Sequence, residues 1–291
     1  MIRKAVIPAA GFGTRFLPAT KSQPKEMLPI VDTPVIQYVV EEAVQAGITD
    51  LLMIIGKGKR SIEEHFDRSF QLEAQLAAQG KRTELQLLRR ISDLAEIHFV
   101  WQKEMRGLGD AVYCARHHVN NEPFAVLLGD TVIDAATSAA AQMVGLFEEV
   151  RQPVILLEQV EPRKVSLYGV IEGDEVRPGV YRIRDFVEKP KPEKAPSNLV
   201  IAGRYLLTPD IFEILADTKP SPGGEIQLTE ALKMLARNRP VYGLQLDGRR
   251  CDIGNKEGFI RTNIEFALKR ADMAEDLRQY IMQLAKQWET E

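Results

Sequence analysis

The sequence holds few of the residues that build disulfide scaffolds or thiolate metal sites. Among 291 residues there are two cysteines, Cys114 and Cys251, and they do not form a CxxC motif. This scarcity argues against a disulfide framework, a thiolate zinc site and an iron–sulfur cluster. A reducing compartment suits such a chain, so we expect a cytoplasmic protein.

Long apolar runs and an excess of one charge are also missing. No run approaches the roughly 18 apolar residues of a membrane-spanning helix. Lys and Arg total 38 against 41 Asp and Glu, which gives a net charge of −3. A general nucleic-acid binder needs a broad positive field, which this balance does not supply. We therefore expect neither a membrane nor a nucleic acid as partner, and any anionic ligand must meet a local cluster of cations.

The chain does contain the pattern of an α/β protein. With 45% hydrophobic and 27% charged residues it can bury a full core. Short apolar runs closed by Gly or Pro predict strands buried on both faces at residues 5–7, 51–55, 97–100, 124–128 and 153–157. Residues 34–47 predict a helix, because Pro stands at its first turn and Gly at its end. The first two strands and this helix make a strand–helix–strand unit.

Residues 58–95 predict a charged helical insertion that packs on this core. Its helices carry two apolar stripes, formed by Ile62, Phe66 and Phe70 and by Leu85, Leu88 and Ile91. Further on, the sequence turns to alternating segments at residues 180–183 and 199–201. Such alternation predicts strands that partly face solvent or a ligand.

The end of the chain predicts two amphipathic helices. Their apolar stripes are Ile260, Ile264, Ala267 and Ala271 in the first and Leu277, Ile281, Leu284 and Trp288 in the second. We therefore divide the chain into a domain of residues 1–254 and a helical extension of residues 255–291. The stripes of the extension cover either the protein's own core or a partner subunit.

A pair of glycines with nearby cations marks a candidate phosphate-binding loop. Gly11 and Gly13 follow the first strand, and Arg15 and Lys25 come soon after. Glycines let the backbone approach an anion, and successive N–H groups in such a turn form a positive concavity. A dinucleotide fingerprint would need a third glycine where Phe16 stands, and the Gly-Lys-Ser/Thr close of a Walker A loop is absent. The glycine pair alone would be an ordinary turn, but the added cations favour phosphate binding.

Two acids are placed to hold a hard cation such as Mg²⁺. Asp130 follows the strand of residues 124–128, and Asp252 comes after the strand-like residues 241–244. In open α/β sheets ligands bind at the carboxyl ends of the strands, and carboxylates are suitable ligands for Mg²⁺ there. Taken alone, Asp130 would be interpreted as a turn or helix-capping residue, and Asp252 could equally be a turn residue.

A third motif suits a sugar 1-phosphate. Glu188 and Lys189 are adjacent, and Tyr168 and Gly169 lie upstream. A carboxylate can accept hydrogen bonds from vicinal hydroxyls while the neighbouring ammonium pairs with a phosphate. In isolation, a surface ion pair is the commoner explanation of two such residues.

The four histidines predict no metal site. His117 and His118 are neighbours rather than i, i+4 partners, so they do not share one face of a helix. His65 and His98 have no motif around them.

Eight segments together resemble a known family. In order they read GFGTRFLPATKSQPKEMLPIVDTPVIQY, WQKEMRGLGDAV, LLGD, YGV, FVEKP, AGRYLLTPDIF, GGEIQLTEAL and CDIGNKEG. From Lys4 to about Phe266 the chain resembles the bacterial UTP:glucose-1-phosphate uridylyltransferases, also called UDP-glucose pyrophosphorylases. The resemblance implies a Rossmann-like nucleotide-diphospho-sugar transferase fold. Such an α/β fold has a mixed, mostly parallel central sheet flanked by helices, here with a helical C-terminal extension. The resemblance also implies dependence on Mg²⁺.

The same resemblance implies a role for each matching residue. The residues implied in nucleotide binding are Ala9, Ala10, Gly11, Gly13 and Thr14, with Glu26, Gln102 and Gly107 at the uracil. The residues implied in catalysis are Arg15, Lys25, Asp130 and Lys189, with Arg15 and Lys25 facing the UTP phosphates and Lys189 facing the sugar phosphate. The residues implied in glucose binding are Gly169, Glu188 and Gly203, and Asp130 and Asp252 are the implied metal ligands.

The activity implied is formation of UDP-glucose and pyrophosphate from UTP and glucose 1-phosphate, by in-line attack on the α-phosphorus. One alternative is the same fold acting on dTTP or on another sugar phosphate. A second alternative is a non-catalytic regulatory relative, in which the Thr-Arg of the loop and the Gly-Asp after the strand are altered. Both pairs are intact here, as Thr14-Arg15 and Gly129-Asp130. The resemblance also favours a homodimer or homotetramer joined through the C-terminal helices.

Overall fold

The computed structural model describes residues 2–288. The strands are β1 (Lys4–Ala9), β2 (Pro29–Ile30), β3 (Thr33–Pro34), β4 (Asp50–Ile55), β5 (Glu96–Trp101), β6 (Phe124–Leu127), β7 (Val132–Asp134), β8 (Val154–Gln159), β9 (Gly169–Arg177), β10 (Val180–Glu188), β11 (Leu199–Leu207), β12 (Val241–Gln245) and β13 (Arg249–Cys251). The α-helices are α1 (Val35–Gln45), α2 (Arg60–Phe66), α3 (Phe70–Ala78), α4 (Arg82–Ser92), α5 (Leu108–Tyr113), α6 (Arg116–Val119), α7 (Ala139–Val150), α8 (Ile211–Asp217), α9 (Leu228–Asn238), α10 (Lys256–Ala267) and α11 (Ala274–Trp288).

A mixed central sheet organises the molecule. Within residues 2–288 nine strands pair in the order β5-β4-β1-β6-β11-β8-β12-β10-β9. The neighbours β5, β4, β1 and β6 are parallel, and β12 is parallel to β8. Only β10 and β11 run against the other strands of this sheet. The expected mixed, mostly parallel sheet of a Rossmann-like fold is confirmed.

Helices cover both faces of the sheet, which explains the nearly continuous apolar runs in its central strands. Ala5 and Ile7 of β1 join the core cluster that contains residues of α1 and α7. Val6, which points to the other face, joins the cluster that contains residues of α5, α8 and α9. Both faces of β1 are therefore buried, as the sequence predicted.

Most of the predicted elements are confirmed. The five apolar runs form β1, β4, β5, β6 and β8, and the helix after the glycine loop is α1. Residues 199–201 were expected to face solvent or a ligand in part. In β11 every residue after Leu199 is buried from solvent, because the strand lies inside the sheet between β6 and β8, and Ile201 lines a cleft. In contrast, β9 and β10 do mix buried and exposed residues.

Residues 58–95 form the helices α2, α3 and α4. Ile62 and Phe66 are buried as predicted, but Phe70 is 68% exposed, so that part of the predicted stripe is wrong. The reason is a helix break: α2 ends at Phe66 and α3 begins at Phe70, so Phe70 does not continue the face of Ile62.

The C-terminal helices differ in how they pack. In α10 the buried residues are Thr262 and Ala267, and Ala267 belongs to the predicted stripe. Phe259 and Phe266 also pack inward, with their rings 5.5 Å from those of Phe16 and Tyr38. Ile260 and Ile264, which the sequence placed on its apolar stripe, are 59% and 39% exposed. No residue of α11 up to Trp288 is buried.

Residues 289–291 of the expected extension lie outside the described part of the chain. None of the helices within residues 2–288 is both long and apolar enough to cross a membrane.

Candidate active site

A cleft of about 1120 Å³ opens at the carboxyl ends of the parallel strands. It lies between the loops after β1 and β6 on one side and the strands β9 to β11 on the other. The predicted site residues that line it are Ala10, Gly11, Gly13, Thr14, Arg15, Lys25, Glu26, Gln102, Gly107, Asp130, Gly169, Glu188, Lys189, Gly203 and Asp252. Ala9 is the one predicted residue that does not line the cleft, because it is buried as the last residue of β1.

The loop after β1 has a conformation that requires glycine. Gly13 has a φ of 67°, and a Cβ placed there would lie 3.0 Å from Cβ of Lys25. The Thr20 hydroxyl donates a hydrogen bond of 2.8 Å to the Gly13 carbonyl and so fixes the turn. Arg15 reaches across the cleft mouth and donates to the Gly254 carbonyl at 3.4 Å. The loop is thus held in place with its backbone facing the cleft.

Lys25 and Asp130 form an ion pair at the floor of the cleft. Burial raises the pKa of the Asp130 carboxyl, but the Lys25 ammonium more than offsets this and holds that pKa below its ordinary value. Burial likewise lowers the pKa of Lys25, while Asp130 and Glu26 outweigh it and raise that pKa above its ordinary value. Both groups therefore carry their charge at neutral pH, ready for an anionic ligand and a cation.

Glu26 is paired with Lys59, a residue that the sequence analysis missed. Their side chains are 1% and 6% exposed, and Lys59 Nζ lies 2.7 Å from Glu26 Oε2. The same ammonium donates to the Gly11 carbonyl at 2.7 Å, so it joins α2 to the glycine loop. Burial raises the pKa of Glu26 above its ordinary value, although Lys59 and Lys25 act in the opposite direction. Nothing local in the sequence marks Lys59, because it is 33 residues from its partner.

Gln102 has a fixed orientation in a network behind the cleft. Its Nε2 donates to the Gly107 carbonyl at 3.1 Å and to Asp110 Oδ2 at 2.8 Å. Arg106 donates to the other oxygen of Asp110 at 2.8 Å. Because a carboxylate only accepts hydrogen bonds, Nε2 must face Asp110, which turns Oε1 of Gln102 away from it. The network presents a hydrogen-bond acceptor at this position.

Gly107 brings a distant segment against this network. Its φ is 96°, and an added Cβ would lie 2.8 Å from the Ile226 carbonyl. Gly109 N–H donates to that same carbonyl at 2.8 Å, and Ile226 N–H donates to the Arg106 carbonyl at 2.7 Å. The segments RGLGDAV and EIQLTEAL of the sequence are therefore hydrogen-bonded to each other, and the second one also lines the cleft.

The opposite side of the cleft holds Glu188 and Lys189. Thr229 Oγ1 donates to Glu188 Oε2 at 2.6 Å, and Lys189 Nζ lies 3.2 Å from Glu188 Oε1. Lys189 is 56% exposed and has a φ of 43°, in the left-handed region that non-glycine residues seldom adopt. Its N–H donates to the Tyr168 carbonyl at 3.0 Å, which holds this conformation. Backbone strain of this kind is common at functional sites.

Two glycines keep this side open. A Cβ on Gly169 would lie 3.4 Å from Glu188 Oε2 and 3.0 Å from Ile201 Cδ1. Gly203 has a φ of 78°, and a Cβ there would lie 3.2 Å from Thr131 Oγ1. Larger residues would fill space next to the Glu188 carboxylate and strain β11.

A buried arginine, also missed from sequence, holds the turn that carries Asp130. The Arg204 side chain is 1% exposed and donates to Glu42 Oε2 at 2.7 Å. It also donates to the backbone carbonyls of Thr131 at 2.8 Å and Leu128 at 3.4 Å, on either side of Asp130. Glu42 is 162 residues away in sequence, so no local pattern could identify this pair.

The two predicted metal ligands lie in the same cleft. Asp252 was expected after the strand-like residues 241–244. In the structure β13 lies between that strand and Asp252 and pairs with β7, so Asp252 directly follows β13. Its Oδ2 accepts a hydrogen bond of 2.8 Å from Asn255. Mg²⁺ is commonly held by one or two carboxylates together with substrate phosphates rather than by a cage of protein ligands. An open cleft with two acids and a phosphate-binding loop fits that donor set.

Comparison with known proteins agrees with this geometry. A nucleotidyl transferase family model matches residues 4–268. The UTP–glucose-1-phosphate uridylyltransferase of Staphylococcus epidermidis is 49% identical over 283 residues, covering 97% of this chain and 98% of the relative. The enzyme of that name from Bacillus subtilis is 48% identical over 276 residues, covering 95% and 94%.

Solved structures give the same result. A UDP-glucose pyrophosphorylase complexed with UDP-glucose has a TM-score of 0.86 and 45% identity, covering 93% of this chain and 100% of that one. A UTP-bound enzyme from Acinetobacter baumannii has a TM-score of 0.88 and 36% identity, covering 98% and 100%. The chain therefore belongs to the nucleotidyl transferase family and, within it, to the UTP–glucose-1-phosphate uridylyltransferases.

Proposed function

We propose that this protein transfers the uridylyl group of UTP to glucose 1-phosphate, forming UDP-glucose and pyrophosphate. The observation that carries this proposal is the cleft with two chemically different sides. The glycine loop, Lys25 and Asp130 suit a triphosphate, and Glu188 with Lys189 suits a sugar phosphate. Relatives with this name match nearly the whole chain.

The reaction requires positioning rather than a general base. A phosphate monoester, with a second pKa near 6, is already largely a dianion at pH 7, so its oxygen can attack the α-phosphorus directly. The protein must bring two polyanions together and stabilise the charge on the departing pyrophosphate. Arg15 and Lys25 serve the nucleotide phosphates, and Lys189 serves the phosphate of the sugar. When the two sides of the cleft hold their ligands at the same time, the sugar-phosphate oxygen can approach the α-phosphorus in line with the departing pyrophosphate.

Gln102 reads the base. Uracil presents an N–H donor between two carbonyl acceptors, and Gln102 Oε1 is the acceptor that its network leaves available. Gly107 leaves space for the base to approach the backbone, and Glu26 fixes the loop beside it through Lys59. Thymine has the same hydrogen-bonding edge, so discrimination between UTP and dTTP depends on space at the position of the extra methyl group.

Glu188 binds the sugar. Thr229 occupies one side of its carboxylate, and the remaining lone pairs can accept from vicinal hydroxyls of glucose. Gly169 leaves the space that a sugar ring needs beside the carboxylate, and Gly203 lines the same side of the cleft. Lys189, held in its strained conformation by Tyr168, then faces the sugar phosphate.

We infer that Asp130, together with Asp252, holds Mg²⁺. When bound, the ion supplies positive charge at the triphosphate and a template that orients it. Asp130 is ionised and lies in the cleft, but in this structure its carboxylate pairs with Lys25. Lys25 and the ion therefore compete for one carboxylate, and when Asp130 releases Lys25 its ammonium becomes available to a phosphate.

A substrate panel tests the activity. Pyrophosphate release should be fastest with UTP and glucose 1-phosphate and should require Mg²⁺. Faster release with dTTP or with another sugar phosphate would establish the alternative specificity. Absence of release with every pair, in a folded protein that binds UTP, would instead establish a regulatory relative.

Arg15→Ala and Lys25→Ala should lower kcat more than they raise KM, because the charges that they remove act on the transition state. A pure effect on KM would limit both residues to substrate binding.

We also propose a cytoplasmic homodimer or homotetramer built partly through residues 255–291. Both cysteines are free, which suits a reducing compartment. Ile260, Ile264 and Trp288 are exposed apolar side chains on the last two helices. Truncation after Ala271 should lower the mass that light scattering reports. A folded truncated protein with unchanged mass would contradict this role for α11.

A further inference from the structure

Three metal-binding side chains meet at the end of the sheet opposite the cleft. Asp50 is the first residue of β4, His98 lies in β5, and His118 lies in α6. Asp50 is paired in register with Lys4 at the start of β1. The cleft lies beyond the other ends of these parallel strands, so this cluster is separate from the Asp130 site.

The ligand atoms of this cluster are close enough to share one ion. All three lie within 4.8 Å of one another. His118 Nε2 is 2.8 Å and His98 Nε2 is 3.9 Å from Asp50 Oδ1. Two ligand atoms about 2.1 Å from a tetrahedral Zn²⁺ ion lie about 3.4 Å apart, between these two distances. Small adjustments of the side chains would therefore bring the three ligand atoms to distances that suit a common ion.

We propose that Asp50, His98 and His118 form a binding site for Zn²⁺ or a chemically similar transition-metal ion. Two imidazoles and one carboxylate suit Zn²⁺, Co²⁺ or Ni²⁺, whereas Mg²⁺ prefers oxygen ligands. His98 is 53% exposed, so solvent can reach the site and supply the fourth ligand. In the metal-free protein His118 Nε2–H donates to Asp50, and that proton leaves when the nitrogen binds the ion.

Lys4 fixes the position of His118 without occupying the site. Its Nζ donates to the His118 carbonyl at 3.1 Å and to the Val119 carbonyl at 3.2 Å. The same ammonium pairs with Glu122 at 2.8 Å, so a nearby carboxylate balances its charge. The two rings stand 4.9 Å apart and tilted at 55°, so they are neighbours without being stacked face to face.

The proposed ion would join elements that lead to the base-binding residues. The edge strand β5 runs from the cluster to Gln102, and the α5–α6 segment runs from Gly107 to the cluster. An ion bound only by the folded protein stabilises that state by mass action. Binding should therefore raise the thermal unfolding temperature, because the ion would join the edge strand β5 to β4 and to α6.

Imidazole NMR tests the site directly. The chain has four histidines, so each ring gives a separate signal that single variants can assign. The untagged, chelator-treated protein is titrated with ZnCl₂ in excess Mg²⁺, which saturates the oxygen-ligand site. We expect the Nε2 signals of His98 and His118 to shift together and to saturate at one equivalent. His65 and His117 should not shift, and the unfolding temperature should rise.

Variants separate this site from adventitious binding. His98→Ala and Asp50→Asn should each weaken Zn²⁺ binding at His118 by more than about tenfold and abolish the thermal shift. The matched control is His117→Ala, because His117 is exposed beside His118 but outside the cluster. The proposal is overturned if Zn²⁺ leaves His98 and His118 unshifted, if all four histidines shift alike, or if His98→Ala leaves binding at His118 unchanged. His98→Gln provides a second variant of a half-exposed position if alanine perturbs the fold.

Discussion

The two sides of the cleft are stabilised in different ways. On the nucleotide side, Glu26 and Lys59 form an ion pair that is almost completely buried. On the sugar side, the comparable pair of Glu188 and Lys189 is open, with Lys189 56% exposed. There the geometry is imposed by the backbone, through the positive φ of Lys189 and of Gly203.

This difference corresponds to two kinds of ligand recognition. Rearranging buried, paired charges costs free energy, so the side that we propose binds UTP is preorganised before the ligand arrives. An exposed lysine on a strained backbone has a fixed Cα but a mobile ammonium group. That group can adjust its position to the phosphate of a second substrate. We expect substitutions on the nucleotide side to change both ligand binding and stability. Substitutions on the sugar side should change catalysis with little effect on stability.

The largest expected effect is on stability, at Lys59. Lys59→Met leaves Glu26 buried without its partner, and breaking a buried ion pair costs about 3–5 kcal/mol of unfolding free energy. Denaturant unfolding measures this loss. The matched control is Lys57→Met, because Lys57 is exposed two residues away and should change stability by less than about 0.5 kcal/mol.

A double variant identifies the cause of that loss. Glu26→Gln combined with Lys59→Met removes both charges, so it should be less destabilised than the sum of the single variants. If Lys59→Met is as stable as Lys57→Met, the ion pair does not stabilise the nucleotide side, and the contrast between the two sides is lost.

The next effect is on catalysis, at Asp130. Asp130→Asn removes the negative charge that pairs with Lys25 and that we propose holds Mg²⁺, and we expect kcat/KM to fall about 10²–10³-fold. Asp252→Asn should lower it less, since Asn255 already occupies one of its oxygens. Full turnover by Asp130→Asn at ordinary Mg²⁺ concentrations would contradict the role of Asp130, and a normal rate for Asp252→Asn would leave Asp130 as the sole acid ligand.

The contrast between the sides also explains what the sequence could predict. Gly13, Arg15, Lys25 and Asp130, which line one cleft, could be predicted as site residues because a local pattern, a strand followed by a loop of glycines and charges, indicates the chemistry. Lys59 was missed because its role depends on a long-range contact with Glu26.

The elements of the fold also divide into those that a local pattern identifies and those that depend on distant parts of the chain. Strands buried on both faces have continuous apolar runs, which identified β1 and β4 from sequence. The burial of β11 from solvent depends on its place between β6 and β8, which the short segment of residues 199–201 does not encode. Likewise, the cluster of Asp50, His98 and His118 has no sequence motif, because three separate elements supply its members.

A smaller effect is expected on the sugar side, at Lys189. Lys189→Ala removes one charged phosphate partner, so KM for glucose 1-phosphate should rise and kcat should fall, together about 10–100-fold in kcat/KM. UTP affinity measured by calorimetry and the unfolding free energy should stay nearly unchanged. Lys189→Arg should rescue poorly, because a planar guanidinium places its charge differently from an ammonium.

The matched control for this prediction is Lys191→Ala, an exposed lysine in the same proline-rich loop. It should leave both kinetic constants unchanged. If Lys189→Ala instead weakens UTP binding while KM for the sugar phosphate holds, Lys189 belongs to the nucleotide side.

The smallest effect is a pH dependence of stability that Glu26 should produce. Burial raises the pKa of Glu26 in the folded protein above its ordinary value of 4.5, so the folded state binds this proton more tightly than the unfolded state. The contribution of Glu26 to the unfolding free energy should therefore rise as the pH falls from neutral through the folded pKa, and level off below about 4.5. Asp130, whose pKa is lowered, loses its contribution only below its ordinary value of 3.8, outside that window.

Denaturant unfolding of wild type and Glu26→Gln at pH 7 and near pH 4.5 measures this contribution. The difference in unfolding free energy, wild type minus variant, should increase toward acid pH by on the order of 1 kcal/mol or less. Other carboxylates titrate equally in both proteins and cancel in the difference. A flat difference for Glu26→Gln would mean that Lys59 fully offsets the burial of Glu26, so that the buried charge costs the nucleotide side no stability.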